Sequence, residues 1–458
     1  MQQNVIVKKI YTDVINPGNC FHCGLCEGLT DNLFKMDNSS DGPLPKLVRK
    51  PIPADIPQLE KILLACPGRG FPYQFLSKKI KAIKKNKFLG NYNNLYIGSS
   101  TSKTIRNKSS SGGIVRTLLI ELIKSNKIDY ACFLDENKNL ILDFNLLITS
   151  KIEDILNSSQ SVYQTTAILN KLKTLKKNKS YAFVGLPEHI ASLRVLKIYF
   201  PEEFKHIKYL ISIYSGTNMY PGAVEFFLKG NGVKNLDEVK KIYWRYGEWP
   251  GLLRVETENK KILSLKKFYY NYLIPFFISK NCLITPDFTG ELSDISIGDA
   301  WSPVLEKSGH GYSIIISRSI TFDKILNELK QKEIIDLEEN DENSTIEMHS
   351  HMLEFKKIGS YLRIKKLSKK GPVPLYDLKP ASISFQRKLI ETIIGLIINL
   401  AASKKTKNIF SLVSSNVLGF IFEILRKLWK SITKPTKRKG FLNQNFIEVK
   451  NDRLKEFM

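Results

Sequence analysis

The sequence predicts a mixed α/β central domain with a small cysteine-bearing lobe before it and a helical extension after it, on three observations. Short apolar runs alternate with amphipathic ones from residue 91 to 378, the texture of interleaved strands and helices. Four of the six cysteines, Cys20, Cys23, Cys26 and Cys66, lie ahead of that region. Beyond Pro380 apolar stretches and Lys-rich sequence replace the alternation, with no strand pattern. The expected divisions are residues 1–85, 91–378 and 380–458.

The first lobe is defined by Cys20-Phe-His-Cys-Gly-Leu-Cys26 and by Cys66-Pro-Gly68. Three thiolates at successive i, i+3 spacing wrap one corner of a cubane, and a distant Cys before Pro closes it, the pattern of a 4Fe-4S cluster. Zinc is the rival ligand; its knuckles usually come as two separated Cys pairs, whereas a third Cys three residues on is the iron-sulfur habit. Disulfides are not expected, because residues 1–10 hold no apolar stretch of signal-peptide length. Cys132 and Cys282 are isolated and read as small buried apolar residues.

In the central region Tyr181-Ala-Phe-Val-Gly185 reads as a strand leading into a helix from Glu188 to Ile198, and a helix from Ile114 to Lys124 precedes a strand at Tyr130–Leu134. Ser109-Ser-Ser-Gly-Gly113 stands at that first helix's start, where free backbone N–H groups either hold a phosphate or are simply capped. Val184-Gly-Leu-Pro-Glu-His189 turns strand into helix. Trp244-Arg-Tyr-Gly-Glu-Trp-Pro-Gly251 sets a guanidinium between aromatics, suited to a flat ring or to a packed turn. Asp294 and Asp299 bracket a short strand that ends in Gly298-Asp299.

In the last region the apolar stretches 389–402 and 409–425 are each too short to span a bilayer comfortably. Lys404, Lys405, Lys407, Arg426, Lys427, Lys430, Lys434, Lys437, Arg438 and Lys439 face one acid, Glu423. With Trp429, that composition fits a helix lying on an anionic leaflet, or a helical pair packed on the main domain with its basic face solvated.

At 458 residues, 43% hydrophobic and 25% charged, the composition is ordinary and globular. A net charge of +26 favours an anionic partner: a cofactor, an acidic protein or a membrane surface. No nucleic-acid motif accompanies it, so a nucleic-acid partner is not expected.

The order and spacing of these patterns from Asn19 to Trp301 resemble the family of the coenzyme F420 hydrogenase and dehydrogenase beta subunit, whose relatives include chlorophyll-cycle reductases and proteins found with bacterial polysaccharide biosynthesis. The cysteines resemble its ferredoxin-like lobe, Ser111-Gly112-Gly113 its Ser-Gly-Gly helix start, Ser161-Val-Tyr163 its Ser-Lys-Tyr segment, and Trp249-Pro-Gly251 and Asp294 to Asp299 its later motifs. The resemblance implies an iron-sulfur flavoprotein oxidoreductase with FAD in the α/β domain. It would act on a small organic substrate with an electron donor such as ferredoxin or a reduced cofactor, in the cytoplasm with membrane association as an open alternative. A role in surface polysaccharide biosynthesis follows only from the kind of relative, and nothing in the residues specifies a deazaflavin pocket.

Under that resemblance Cys20, Cys23, Cys26 and Cys66 would hold one 4Fe-4S cluster, Ser111, Gly112 and Gly113 the flavin diphosphate, and Asp299 a ribityl or substrate hydroxyl. His189 is the one candidate proton donor, its ordinary pKa lying near neutrality, against a structural role beside a turn. His22 lies among the cluster ligands by adjacency alone, and His349 and His351 follow an acidic stretch expected to be exposed. A second cluster, which many family members carry, is not expected: its positions read Gly185-Leu-Pro-Glu188, Tyr214-Ser-Gly216 and Cys282-Leu-Ile-Thr285, so that three of four thiolates are missing. Two functions stay open, a simplified reductase fed directly by the amino-terminal cluster, or a cluster-bearing scaffold that has lost flavin catalysis.

Overall fold

The computed structural model describes all residues except 138, 139, 141, 234, 266–268, 308, 434–443, 450, 451 and 458. The amino-terminal segment runs through helix α1 (Gln2–Ile10), α2 (Leu25–Leu29), a hairpin of β1 (Phe34–Asp37) and β2 (Leu44–Leu47), and α3 (Ile56–Ala65). Its helix α2 packs closely against the short helical turn Ile168–Thr174. A Cβ on Gly28 would stand 1.9 Å from the Leu169 carbonyl oxygen, so only glycine lets α2 lie against that turn.

The body is an eight-stranded sheet built from β3 (Asn94–Ser100), helix α4 (Ile114–Lys124), β4 (Tyr130–Glu136), β5 (Phe144–Thr149), β6 (Tyr181–Gly185), helix α5 (Pro187–Tyr199) and β7 (Ile207–Ile213). A three-stranded antiparallel sheet, β8 (Val239–Tyr246), β9 (Leu252–Thr257) and β10 (Ile262–Leu265), is inserted before β11 (Ile295–Asp299), β12 (Ser313–Ser317), helix α6 (Ile320–Gln331) and β13 (Ile335–Glu339). The order across the large sheet is β13, β3, β12, β11, β7, β6, β4, β5. β4, β6, β7 and β11 run parallel, and the flanking strands antiparallel. β6 is apolar without alternation because both its faces are covered: every residue of Tyr181–Gly185 is buried. On one face Phe183 and Leu210 pack with Leu193 and Leu196 of α5 and reach Leu25 and Phe71 of the amino-terminal segment. On the other Ile211, Ile295 and Ile315 pack with Leu118 of α4 and Phe322 of α6. Each such side chain contributes about 1.5–3 kcal/mol by leaving water.

After β14 (Leu378–Pro380) come α7 (Phe385–Ala401), α8 (Lys404–Phe410) and α9 (Ser415–Thr433), then β15 (Phe446–Glu448). The apolar stretch expected to be continuous from 409 to 425 is broken, and α8 and α9 are bent by 118°. Nor is the region without strands: β15 pairs antiparallel with β14, and Phe457 is buried against Phe71 and Tyr199, so the end of the chain folds back onto its beginning. Among the described residues no single helix is long and apolar enough to cross a membrane. Lys434, Lys437, Arg438 and Lys439, and the side chains of Trp429 and Lys430, lie outside the described residues.

Candidate functional site

The four amino-terminal cysteines are brought into one place by three local devices. His22 and Gly24 take left-handed backbone (φ +57° and +83°), curling the loop so that α2 starts directly after Gly24. The His22 ring donates from Nδ1 to the Pro43 carbonyl, 2.9 Å away, and the Cys23 carbonyl accepts from Leu169 N–H at 2.8 Å. Cys66 ends α3 just before Pro67. Burial pushes the Cys20 thiol up to about 12, and neighbouring Cys66 adds to it. Burial also raises Cys23 and Cys26, and each then feels the charges of the other cysteines. Four thiols within mutual electrostatic reach, with Glu188 as another anion near Cys23, form a donor set that a cationic iron cluster neutralises. Among the described residues no three His, Cys, Asp or Glu are grouped to hold a metal ion.

Next to this loop a cavity of about 1090 Å³ opens at the carboxyl ends of the parallel strands, the usual ligand position of such sheets. Leu134 of β4, Val184 and Gly185 of β6, Ile213 of β7 and Asp299 of β11 all line it. So does the start of α4: Ser111 and Gly113 face the cavity, Gly113 caps the helix at φ +79°, and Ser111 Oγ donates to the Tyr312 carbonyl at 2.6 Å. Gly112 sits behind them, where a Cβ would stand 2.5 Å from the Gly98 carbonyl oxygen. Phe21, between Cys20 and His22, lines the same cavity.

Arg245 organises the wall. Its guanidinium donates to Asp299 Oδ2 at 3.0 Å, to the Ser110 carbonyl at 2.9 Å and to Tyr163 Oη at 3.3 Å, and it also reaches the Pro250 carbonyl. Of the two readings of this segment, a flat-ring site or a packed turn, the contacts fit the second: the guanidinium is a brace tying the Ser-rich turn, the Trp-Pro-Gly turn and β11 together. Asp299 further accepts from Trp249 Nε1 at 3.5 Å, and Trp249 packs on Trp301 with ring centres 4.5 Å apart.

Two expectations are corrected, and one lining residue is added. His189 lines the cavity, but burial pushes its pKa down to about 3 and its Nδ1 accepts from Leu186 N–H at 3.3 Å, so the near-neutral titration attributed to it is lost. His349 is buried instead of exposed: it lines the cavity, stacks edgewise on Tyr214 and bonds the Asp299 carbonyl at 2.7 Å. Arg116 was missed. It lines the cavity from α4 and ties the helix to the loop at Ser158, 2.7 Å from Nη2 to the carbonyl. A lone Arg inside the apolar run Ile114-Val-Arg-Thr-Leu was the signal. Tyr214, Gln160 and Thr165 also line this cavity, and among the described residues their Oη, Oε1 and Oγ1 atoms are buried without a hydrogen-bond partner. Native interiors rarely leave such groups unpaired, and a bound ligand would satisfy them.

At the second-cluster positions Cys282 Sγ accepts from Asn218 N–H at 3.1 Å and Ser279 Oγ at 3.2 Å. The buried Lys356 ammonium donates to the Cys282 carbonyl at 3.0 Å and lies within electrostatic reach of Cys282 and Glu188. Thr285 Oγ1 is turned to the Asn281 carbonyl at 2.6 Å. This donor set, one thiol with an ammonium beside it, does not fit an iron-sulfur cluster.

Family models described as coenzyme F420 hydrogenase/dehydrogenase beta subunit, N-terminal and C-terminal parts, match residues 95–173 and 178–343. The cysteine segment precedes both. The coenzyme F420-dependent sulfite reductase of Methanocaldococcus jannaschii is 29% identical over 245 residues, which are 50% of this chain and 36% of that enzyme. The chain thus matches only about a third of that relative's length. The coenzyme F420 hydrogenase subunit beta of Methanococcus voltae is 22% identical over 265 residues, 55% of this chain and 86% of the subunit. Among solved structures, a chain of the F420-reducing NiFe hydrogenase complex from Methanosarcina barkeri superposes with a TM-score of 0.51 at 16% identity, covering 64% of this chain and 99% of that one, a likeness of fold.

Proposed function

We propose that this chain, which belongs to the coenzyme F420 hydrogenase/dehydrogenase beta-subunit family of oxidoreductases, is an iron-sulfur flavoprotein. In this reading Cys20, Cys23, Cys26 and Cys66 hold one 4Fe-4S cluster, the large cavity holds FAD, and a small organic substrate is reduced or oxidised. The observation that carries the reading is that one cavity is lined both by Phe21, next to a cluster ligand, and by the Ser111 and Gly113 helix start. A bound flavin exchanges hydride in two-electron steps and a cluster one electron at a time, so the pair converts one mode into the other.

The chain's own residues have definite tasks in that scheme. Backbone N–H groups at Ser111 to Gly113, with the Arg116 guanidinium nearby, receive a diphosphate. Arg245 fixes the turn that presents them. Tyr214, Gln160 and Thr165, which line the cavity and carry buried polar atoms without a partner among the described residues, are the side chains that would turn to a bound molecule. With Cys282 the one thiol left at the second-cluster positions and Lys356 beside it, electrons have one iron route into the cavity, through the amino-terminal cysteines. Two relatives are named for coenzyme F420, which makes the reduced deazaflavin the first hydride donor to test beside ferredoxin.

The test is stopped-flow reduction of the bound flavin by reduced ferredoxin in the wild type and in Cys66→Ser. Slowed flavin reduction in a variant that still holds flavin supports the reading; equal rates overturn it.

A further inference from the structure

The carboxy-terminal helices carry an apolar face to the outside. On α7 two charged residues, Arg387 and Glu391, point inward: Arg387 pairs with Glu391 at 2.8 Å and with Glu354 at 2.9 Å, and Arg363 closes on Glu391 at 2.7 Å. The apolar residues point outward, with Leu389, Ile393, Leu396 and Leu400 each about half exposed or more, at i, i+4, i+7 and i+11 on one face. On α9 Glu423 is paired with Arg426 at 2.6 Å and mostly buried, Leu418 and Phe422 pack on the main domain, and Val417, Phe420 and Ile424 stand in solvent. Apolar faces of soluble helices point to the core, so this orientation calls for an apolar medium outside.

Two further facts choose the occupant. Glu391 and Glu423 are the acids of residues 385–428 and both are consumed by ion pairs, whereas Lys388, Lys404, Lys405 and Lys427 are exposed. A surface of this sign repels a second copy of itself and attracts an anionic leaflet. The same helices also frame the entrance of the large cavity: Ile393, Ile397 and Leu425 both line it and are 49%, 38% and 43% exposed.

The geometry points to α7–α9 as a docking face for an anionic phospholipid bilayer that turns the cavity mouth toward the acyl layer, so that the substrate is a membrane-borne amphiphile whose polar end enters the cavity. Docking stands on the helices alone; the substrate class rests on the function proposed above.

The test uses the full chain, purified without oxygen, with vesicles of phosphatidylglycerol and phosphatidylcholine and with phosphatidylcholine alone. The wild type co-sediments with the anionic vesicles, less so as salt rises, and Phe420→Asp/Ile424→Asp weakens this by about tenfold or more while flavin content and thermal unfolding stay unchanged. Wild type left in the supernatant overturns the docking, and so does a dimer in solution that Phe420→Asp dissociates, since a second copy then covers the face. For the mouth, lysophosphatidylglycerol with a brominated chain is added to Trp429→Phe. Saturable quenching of Trp301, which lines the cavity, supports a membrane-borne substrate; full fluorescence overturns it. Vesicle binding by a flavin-free chain supports docking while refuting the flavoprotein reading.

Discussion

Arg245 and Asp299 meet as an ion pair, 3.0 Å from Nη1 to Oδ2, that joins the inserted three-stranded sheet to the last parallel strand of the main one at the cavity wall. Arg245 is 4% exposed, so its pairing is strongly felt. Removing one partner of such a pair leaves the other uncompensated, at a cost of about 3 kcal/mol or more. Arg245→Met is expected to lose about that much stability in urea unfolding and to release bound flavin. Retained flavin at unchanged stability would show that the brace is dispensable.

Cys282 separates the two cluster positions. Cys282→Ser keeps a group able to pair with Asn218 N–H and Ser279, so iron content is expected to match the wild type. Cys20→Ser and Cys66→Ser are expected to lose most iron. Iron analysis of the three variants decides it, and a loss in Cys282→Ser would mean that a cluster reaches this position.

Gly112 is wedged between the Gly98 carbonyl oxygen and Ser313 N, 2.5 and 2.8 Å from where a Cβ would lie. Both neighbours are backbone and cannot swing away. Gly112→Ala is expected to cost about 1–3 kcal/mol and to weaken flavin binding by shifting the helix start, as equilibrium dialysis would read.

His189 governs part of the acid limb of stability. Its folded pKa of about 3 lies below the ordinary value of 6.5, so between these the unfolded chain binds a proton that the folded chain does not. Stability from this group is present above pH ~6.5 and falls away as pH drops toward 3. The stability advantage of wild type over His189→Asn is therefore expected to shrink as pH falls below 6.5. The pH profile of turnover is expected to keep its shape in His189→Asn; a displaced limb would restore His189 as a proton donor.

Much of the fold was legible in the chain. The helix at 114–124, the strand at 181–185 and its Pro-started helix follow from local periodicity and capping, and the cysteine quartet from spacing. What local pattern cannot carry is where distant segments meet. His349 reaches the cavity because its segment folds back over β11, 50 residues away in sequence, with no trace of that in its acidic surroundings. β15 is three residues long and exists through its pairing with β14, so alternation had nothing to register. The direction of the α7 stripe was hidden for the same reason: periodicity shows that a helix has two faces, and the Arg363, Arg387 and Glu354 partners decide which one is inside.

The proposed function places a single amino-terminal cluster beside a flavin. Iron, sulfide and flavin per chain, measured on wild-type protein purified without oxygen, test it most directly. About four irons, four sulfides and one flavin per chain are expected; about eight irons, or a four-iron protein devoid of flavin, would overturn the proposed function.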